Sequence, residues 1–104
     1  MQFDVYVNPS ELSKDAYPFL VDVQGKLIAE LSTRIVIPLG KLDNFGNSAL
    51  PQLTPIVEYK GEEFLLLTPQ ISSVPNKVLQ NPVGSLAHMR SLIIASLDFA
   101  VSGI

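Results

Sequence analysis

The hydrophobic residues of this chain change their period in its last third, and that change limits the fold more than any single residue does. Up to residue 68 they come in short runs, some alternating, separated by turn formers; from Leu86 onward they recur at steps of three and four. A chain patterned this way makes a set of antiparallel strands followed by one helix. Phe3, Val5 and Val7 alternate with Asp4 and Tyr6 as in a half-buried strand, ended by Asn8-Pro9-Ser10 and followed by a polar loop through Asp15. Residues 19–23 are the next apolar run, closed by Gln24-Gly25-Lys26, and Leu27-Ile28 then stands as a small apolar knob on a turn or short strand. Residues 34–39 form a β-branched run whose Pro38 marks the exit or an unpaired edge. Residues 40–51 mix Gly, Asn, Asp and Ser with isolated Leu and Phe, the composition of a long excursion. Residues 56–59 and 62–68 flank Lys60-Gly61, the clearest hairpin in the chain.

In the last third, Asn81-Pro82 and Ser85 are start signals for a helix, with Leu86, Met89, Ile93, Leu97 and Ala100 or Val101 as its buried stripe. Leu92 and Phe99 widen the apolar face beyond what one sheet covers, so the helix is expected to mediate a homodimer. The fold expected over residues 1–104 is a single domain, mainly β with one C-terminal helix: a small barrel or strongly bent antiparallel sheet capped by that helix. The ending Val101-Ser102-Gly103-Ile104 admits two readings. Either Gly103 stops the helix and Ile104 folds back as in a Schellman cap, or this apolar end is a probe that enters a partner's pocket.

Composition removes several function classes. Only 16% of the 104 residues are charged, low for a monomer's surface, which again points to covered apolar area. The net charge is −3, and Lys14, Lys26, Arg34, Lys41, Lys60, Lys77 and Arg90 are scattered rather than aligned, so no phosphate-binding stripe exists for nucleic acid. There is no cysteine for a disulfide or thiolate site. Residues 1–4 lack the pattern of a signal peptide, and the greasiest stretch, residues 92–101, is interrupted by Asp98 and too short to span a bilayer. A cytoplasmic protein without membrane attachment is expected. Catalytic signals are sparse: His88 has no second metal ligand at helical spacing, Glu62-Glu63 beside a turn is a solvated pair, and the glycines form no phosphate cradle. Asp22, between Val21 and Val23, reads as a solvent-side strand position, and a hydrolase would need a site centred on it. The chain is therefore expected to be a binding protein, not an enzyme, with neither metal nor cofactor.

Six segments in order, Met1-Gln2-Phe3-x-Val5-Tyr6, Phe19-x-Val21-Asp22-Val23-Gln24, Arg34-x-Val36-Ile37-Pro38-Leu39, Ser73-Val74-Pro75, Leu86-x-His88 and the final Gly103-Ile104, resemble the CcdB toxins of bacterial toxin-antitoxin modules. The resemblance implies an SH3-like barrel with a C-terminal helix and a homodimer that binds the gyrase A subunit and traps DNA gyrase on cleaved DNA. It also implies a CcdA-like antitoxin that neutralises the toxin, the pair repressing their own operon with DNA contacted only through the antitoxin. Carried over by position, the gyrase-binding residues would be Leu27, Ile28, Asp98, Val101, Ser102, Gly103 and Ile104. The antitoxin-binding residues are expected along the sheet and first loop, at Tyr6, Asn8, Asp22, Glu58 and Phe64. Two tip positions depart from the plasmid-borne toxin: Ser102 replaces a tryptophan, and Asp98 replaces an amide. Loss of a buried tryptophan anchor is worth on the order of 2 kcal/mol, or tens of fold in affinity. The alternative reading is therefore a non-toxic relative that binds antitoxin as a co-repressor or sink. A longer loop around residues 9–16 and a divergent stretch at 40–53 also set the chain apart and fit a chromosomal relative.

Overall fold

Lys60 and Gly61 lie at φ of 52° and 80°, the two left-handed residues that a tight hairpin turn with the right-handed twist of its strands requires. They join β4 (Ile56–Tyr59) to β5 (Glu62–Leu66), paired from Tyr59 opposite Glu62 to Ile56 opposite Leu65. The protein is described here by a computed structural model covering residues 1–25, 32–45 and 50–103. The remaining strands are β1 (Asp4–Val7), β2 (Phe19–Asp22), β3 (Thr33–Lys41), β6 (Ser72–Pro75) and β7 (Gly84–Ser85). A short helix α1 (Leu42–Phe45) follows β3, and α2 (Arg90–Ser102) closes the order.

The pairing is antiparallel throughout, in the order β4-β5-β3-β2-β1-β7, with β6 on β3. The nine-residue β3 organises the sheet. Its first half, residues 33–36, pairs with β6 and its end, residues 39–41, with β5, so the sheet curls into a half-barrel. Pro38 was expected at an exit or edge but lies inside β3, opposite Leu20. Its carbonyl accepts from Leu67 N at 3.0 Å, so its nitrogen faces the side where β3 passes from one partner to the other, and no ladder hydrogen bond is lost.

Val5, Val21, Ile37, Leu39, Val57, Phe64 and Leu66 line the inside of the curl, with Phe3, Val23 and Tyr59 at its ends. Phe19 meets Tyr59 and Phe64 edge to face, with ring centroids 5.2 and 5.6 Å apart. The sheet alone leaves this cluster open, and Leu86 and Ile93, both with no exposed surface, close it from the C-terminal segment. Truncating a side chain so placed costs about 2–5 kcal/mol. The expected stripe is present only in part: Met89, Leu92, Ile94 and Leu97 pack against the cluster, but Ala100 and Val101 are exposed. Val7, expected inside, is also exposed, whereas Tyr6 is buried.

Candidate functional site

The last turn of α2 gathers four of the expected gyrase-binding residues. Asp98, Val101, Ser102 and Gly103 are all exposed, Val101 at 87%. Gly103 stands at φ 73° and donates its N–H to Phe99 O at 2.8 Å, the left-handed cap that satisfies a carbonyl at the helix end. The glycine therefore does what the capping interpretation of the sequence requires. The Ser102 hydroxyl turns back onto Asp98 O at 2.6 Å instead of projecting outward. No basic residue lies in this turn, so the Asp98 carboxylate sits near the negative end of the helix dipole without local compensation. An uncovered valine and an uncompensated acid do nothing for the isolated fold. Leu27, Ile28 and Ile104 lie outside the described residues.

Just before residue 26, buried polar side chains fix the chain. Gln24 N donates to Asp22 Oδ1 at 2.9 Å, and Gln24 Oε1 accepts from Ile35 N at 3.1 Å. Asp22 is fully buried, which corrects its expected solvent-side position. Strand β2 lies between β1 and β3, and the N-terminal residues close over the face that would otherwise reach water. The Met1 ammonium and Arg34 Nη1 stand 3.6 and 3.8 Å from Asp22 Oδ2. Sealed from solvent, Asp22 does not offer its carboxylate to a substrate as a hydrolase centred on it would require. Beside it, burial and then the negative charges of Asp22 and Asp4 push the Tyr6 phenol above its ordinary pKa, with Arg34 opposing them.

The five residues expected to bind the antitoxin differ in exposure: Tyr6, Asn8, Asp22 and Phe64 are buried, and Glu58 is exposed. Tyr6 and Asn8 are at or just beyond one end of β1, while Glu58 is exposed on β4 at the opposite side of the sheet order. Phe64 is 2% exposed and packed on Phe19, so its ring offers no contact, contrary to the expectation. Asn8 does border a groove. Its amide donates to Tyr17 O at 2.7 Å and to Ser13 Oγ at 3.1 Å, and its Oδ1 accepts from Ser10 N at 2.9 Å, which pins the first loop above the sheet. Beneath that loop Leu20, Val36, Pro38 and Val74 floor a cleft of about 270 Å³.

A second groove, of about 460 Å³, runs between residues 50–53 and α2, walled by Leu50, Pro51, Leu53 and Phe99 and continued by Leu92 and Ala95. Leu92 and Phe99 were legible as a second apolar stripe. The opposite wall was not, because residues 50–53 carry no periodic signal. Thr54 builds that wall: its Oγ1 accepts from Leu50 N at 2.7 Å and its N–H donates to Leu50 O at 2.7 Å, folding the segment on itself.

Among the described residues no group of three or more His, Cys, Asp or Glu side chains is placed to hold a metal ion, and no helix is long and apolar enough to cross a membrane. The chemistry available is that of surfaces: an apolar helix end, an apolar groove beside it and a cleft under a pinned loop. The sequence profile of the family described as CcdB protein matches residues 2–103, spanning every strand and helix above. Its members are toxins of toxin-antitoxin pairs rather than catalytic enzymes, and the chain belongs to the CcdB family.

Proposed function

We propose that this protein acts as a homodimer that binds the gyrase A subunit through the end of α2 and traps gyrase on cleaved DNA. The observation that supports the reading is the exposed last helical turn, where Val101 is uncovered and Gly103 caps the helix. In a two-fold dimer two such ends form a paired wedge for a two-fold target. The Leu50–Phe99 groove supplies the apolar area that a second copy would cover. Leu27, Ile28 and Ile104 complete the proposed gyrase surface. A CcdA-like antitoxin is proposed to lie in the cleft under the first loop, which Asn8 of the expected set borders and where Leu20, Val36 and Val74 offer an apolar floor to an extended segment. The toxin would then meet DNA only through the antitoxin when the two repress their operon in the cytoplasm.

Ser102 favours a second reading, a non-toxic relative that retains antitoxin binding, because its hydroxyl is satisfied within the helix and contributes no apolar anchor. Induction in a gyrase-sensitive host separates the two. The toxic reading expects growth arrest that a resistant gyrase A allele relieves and that Ser102→Trp deepens. Normal growth on full expression, with antitoxin still bound, would leave the second reading standing.

A further inference from the structure

Helix α2 carries a buried hydroxyl where its pattern calls for an apolar residue. Ser96, 1% exposed, sits on the inward face beside Ile93, and Thr68, from the 3-10 turn Thr68–Gln70, is fully buried against it. Their oxygens are 2.6 Å apart, and Ser96 Oγ is 3.0 Å from Leu53 O. Proton counting fixes the direction of this chain. The carbonyl can only accept, so the single Ser96 proton goes to Leu53 O, and Thr68 must donate to Ser96 Oγ. Both hydroxyls are thereby satisfied, in a sequence of bonds that strengthen one another.

The apolar contacts of α2 are non-directional and permit small rotations and slides. A hydrogen bond has a preferred length and angle and does not. Beyond Ser96 no residue of α2 is fully buried; only Leu97 and Phe99 are half-buried, and Asp98 and residues 100–103 are exposed. Ser96 is thus the last fully buried residue of α2 before the tip. Gly103 is seven residues further on, about 10 Å along the axis, so a tilt of about 6° at Ser96 moves it by about 1 Å. We infer that Thr68 and Ser96 are positioning residues: the relay Thr68 to Ser96 to Leu53 O sets the rotation and projection of the helix end that docks on the target. The inference rests on the gyrase reading for its consequence in binding, but its structural part stands without it.

The test compares the full-length protein with Thr68→Val, which keeps the shape and removes the donor, with Ser96→Ala, and with Thr68→Ser, which restores a hydroxyl. Backbone amide resonances of residues 98–103 are expected to shift in Thr68→Val and Ser96→Ala and to return in Thr68→Ser. The protein concentration giving half-maximal gyrase-mediated DNA cleavage is expected to rise about fivefold to tenfold in the first two variants and to recover in the third. Tip resonances unchanged in whichever of the two relay variants folds, with only a lower melting temperature, would overturn the inference. If the unaltered protein leaves gyrase unaffected, the gyrase reading fails while the resonances still decide the relay.

Discussion

At the scale of single residues, two buried tyrosines make the account testable. The Tyr59 hydroxyl is buried without a hydrogen-bond partner among the described residues, and a Cβ at Gly84 would collide with it. Gly84→Ala is expected to cost about 1–3 kcal/mol through this overlap. Tyr59→Phe removes an unsatisfied hydroxyl and is expected to be nearly neutral alone and to restore part of the Gly84→Ala loss. Urea unfolding of the two single variants and the double variant measures the coupling, and additive effects would count against the contact. Tyr6 has a pKa raised in the folded protein, so the native state holds its phenol proton more tightly than the unfolded chain does. Its contribution is fully present below the ordinary tyrosine range and declines as pH rises through that range, because there the native state binds more protons than the unfolded state. Tyr6→Phe is expected to flatten that part of the alkaline decline in melting temperature. Asp22 shows where reading from sequence stopped: alternation with Val21 and Val23 assigned it to water, and only the pairing of β2 between β1 and β3, with Met1 and Arg34 drawn over it, seals it in.

At the scale of elements, what was legible was what carries its own local signal. The β4-β5 hairpin was readable because Lys60-Gly61 prescribes its turn and register. Strands β6 and β7 were not, since Ser72-Ser73-Val74-Pro75 and Gly84-Ser85 lack alternation and become strands only by pairing with β3 and β1. The start signals at residues 81–85 also lie ahead of the helix itself, which begins at Arg90 after a 3-10 turn over Ala87–Met89. Leu86, ahead of α2, and Ile93, within it, were legible as core, but Ser96 was invisible because a serine at helical spacing reads as a polar face. At the helix end Gly103 is a cap and Val101 is exposed, and variants must separate the two readings of the sequence there. Deleting residues 103–104 is therefore expected to cost about 0.5–2 kcal/mol of stability through the cap and to abolish gyrase poisoning as well. Gly103→Ala separates the two effects: an alanine at φ 73° strains the cap by about 1 kcal/mol but keeps the chain end. Its melting temperature is expected to fall while cleavage activity falls far less than in the deletion; equal loss of activity in both would assign the tip a purely capping role.

At the scale of the whole molecule, a sheet curled into a half-barrel and closed by one helix leaves, among the described residues, an apolar recess beside α2 and another under the first loop, lined by different residues. The proposal assigns the first to the partner protomer and the second to the antitoxin, so substitutions in them should act independently. Leu50→Asp, placed in the wall of the α2 groove where Leu50 is 55% exposed, is expected to shift sedimentation at micromolar concentration from two chains toward one without unfolding the protomer. A monomer before substitution would remove the paired wedge.

Cleavage of supercoiled DNA by purified gyrase, titrated with the purified protein, reads out whether the exposed end of α2 poisons the enzyme. Linear DNA is expected to accumulate with protein concentration, to be lost when residues 103–104 are deleted, and to increase with Ser102→Trp. Supercoiling that proceeds unchanged, with no linear product at saturating protein, would contradict gyrase poisoning by the helix end.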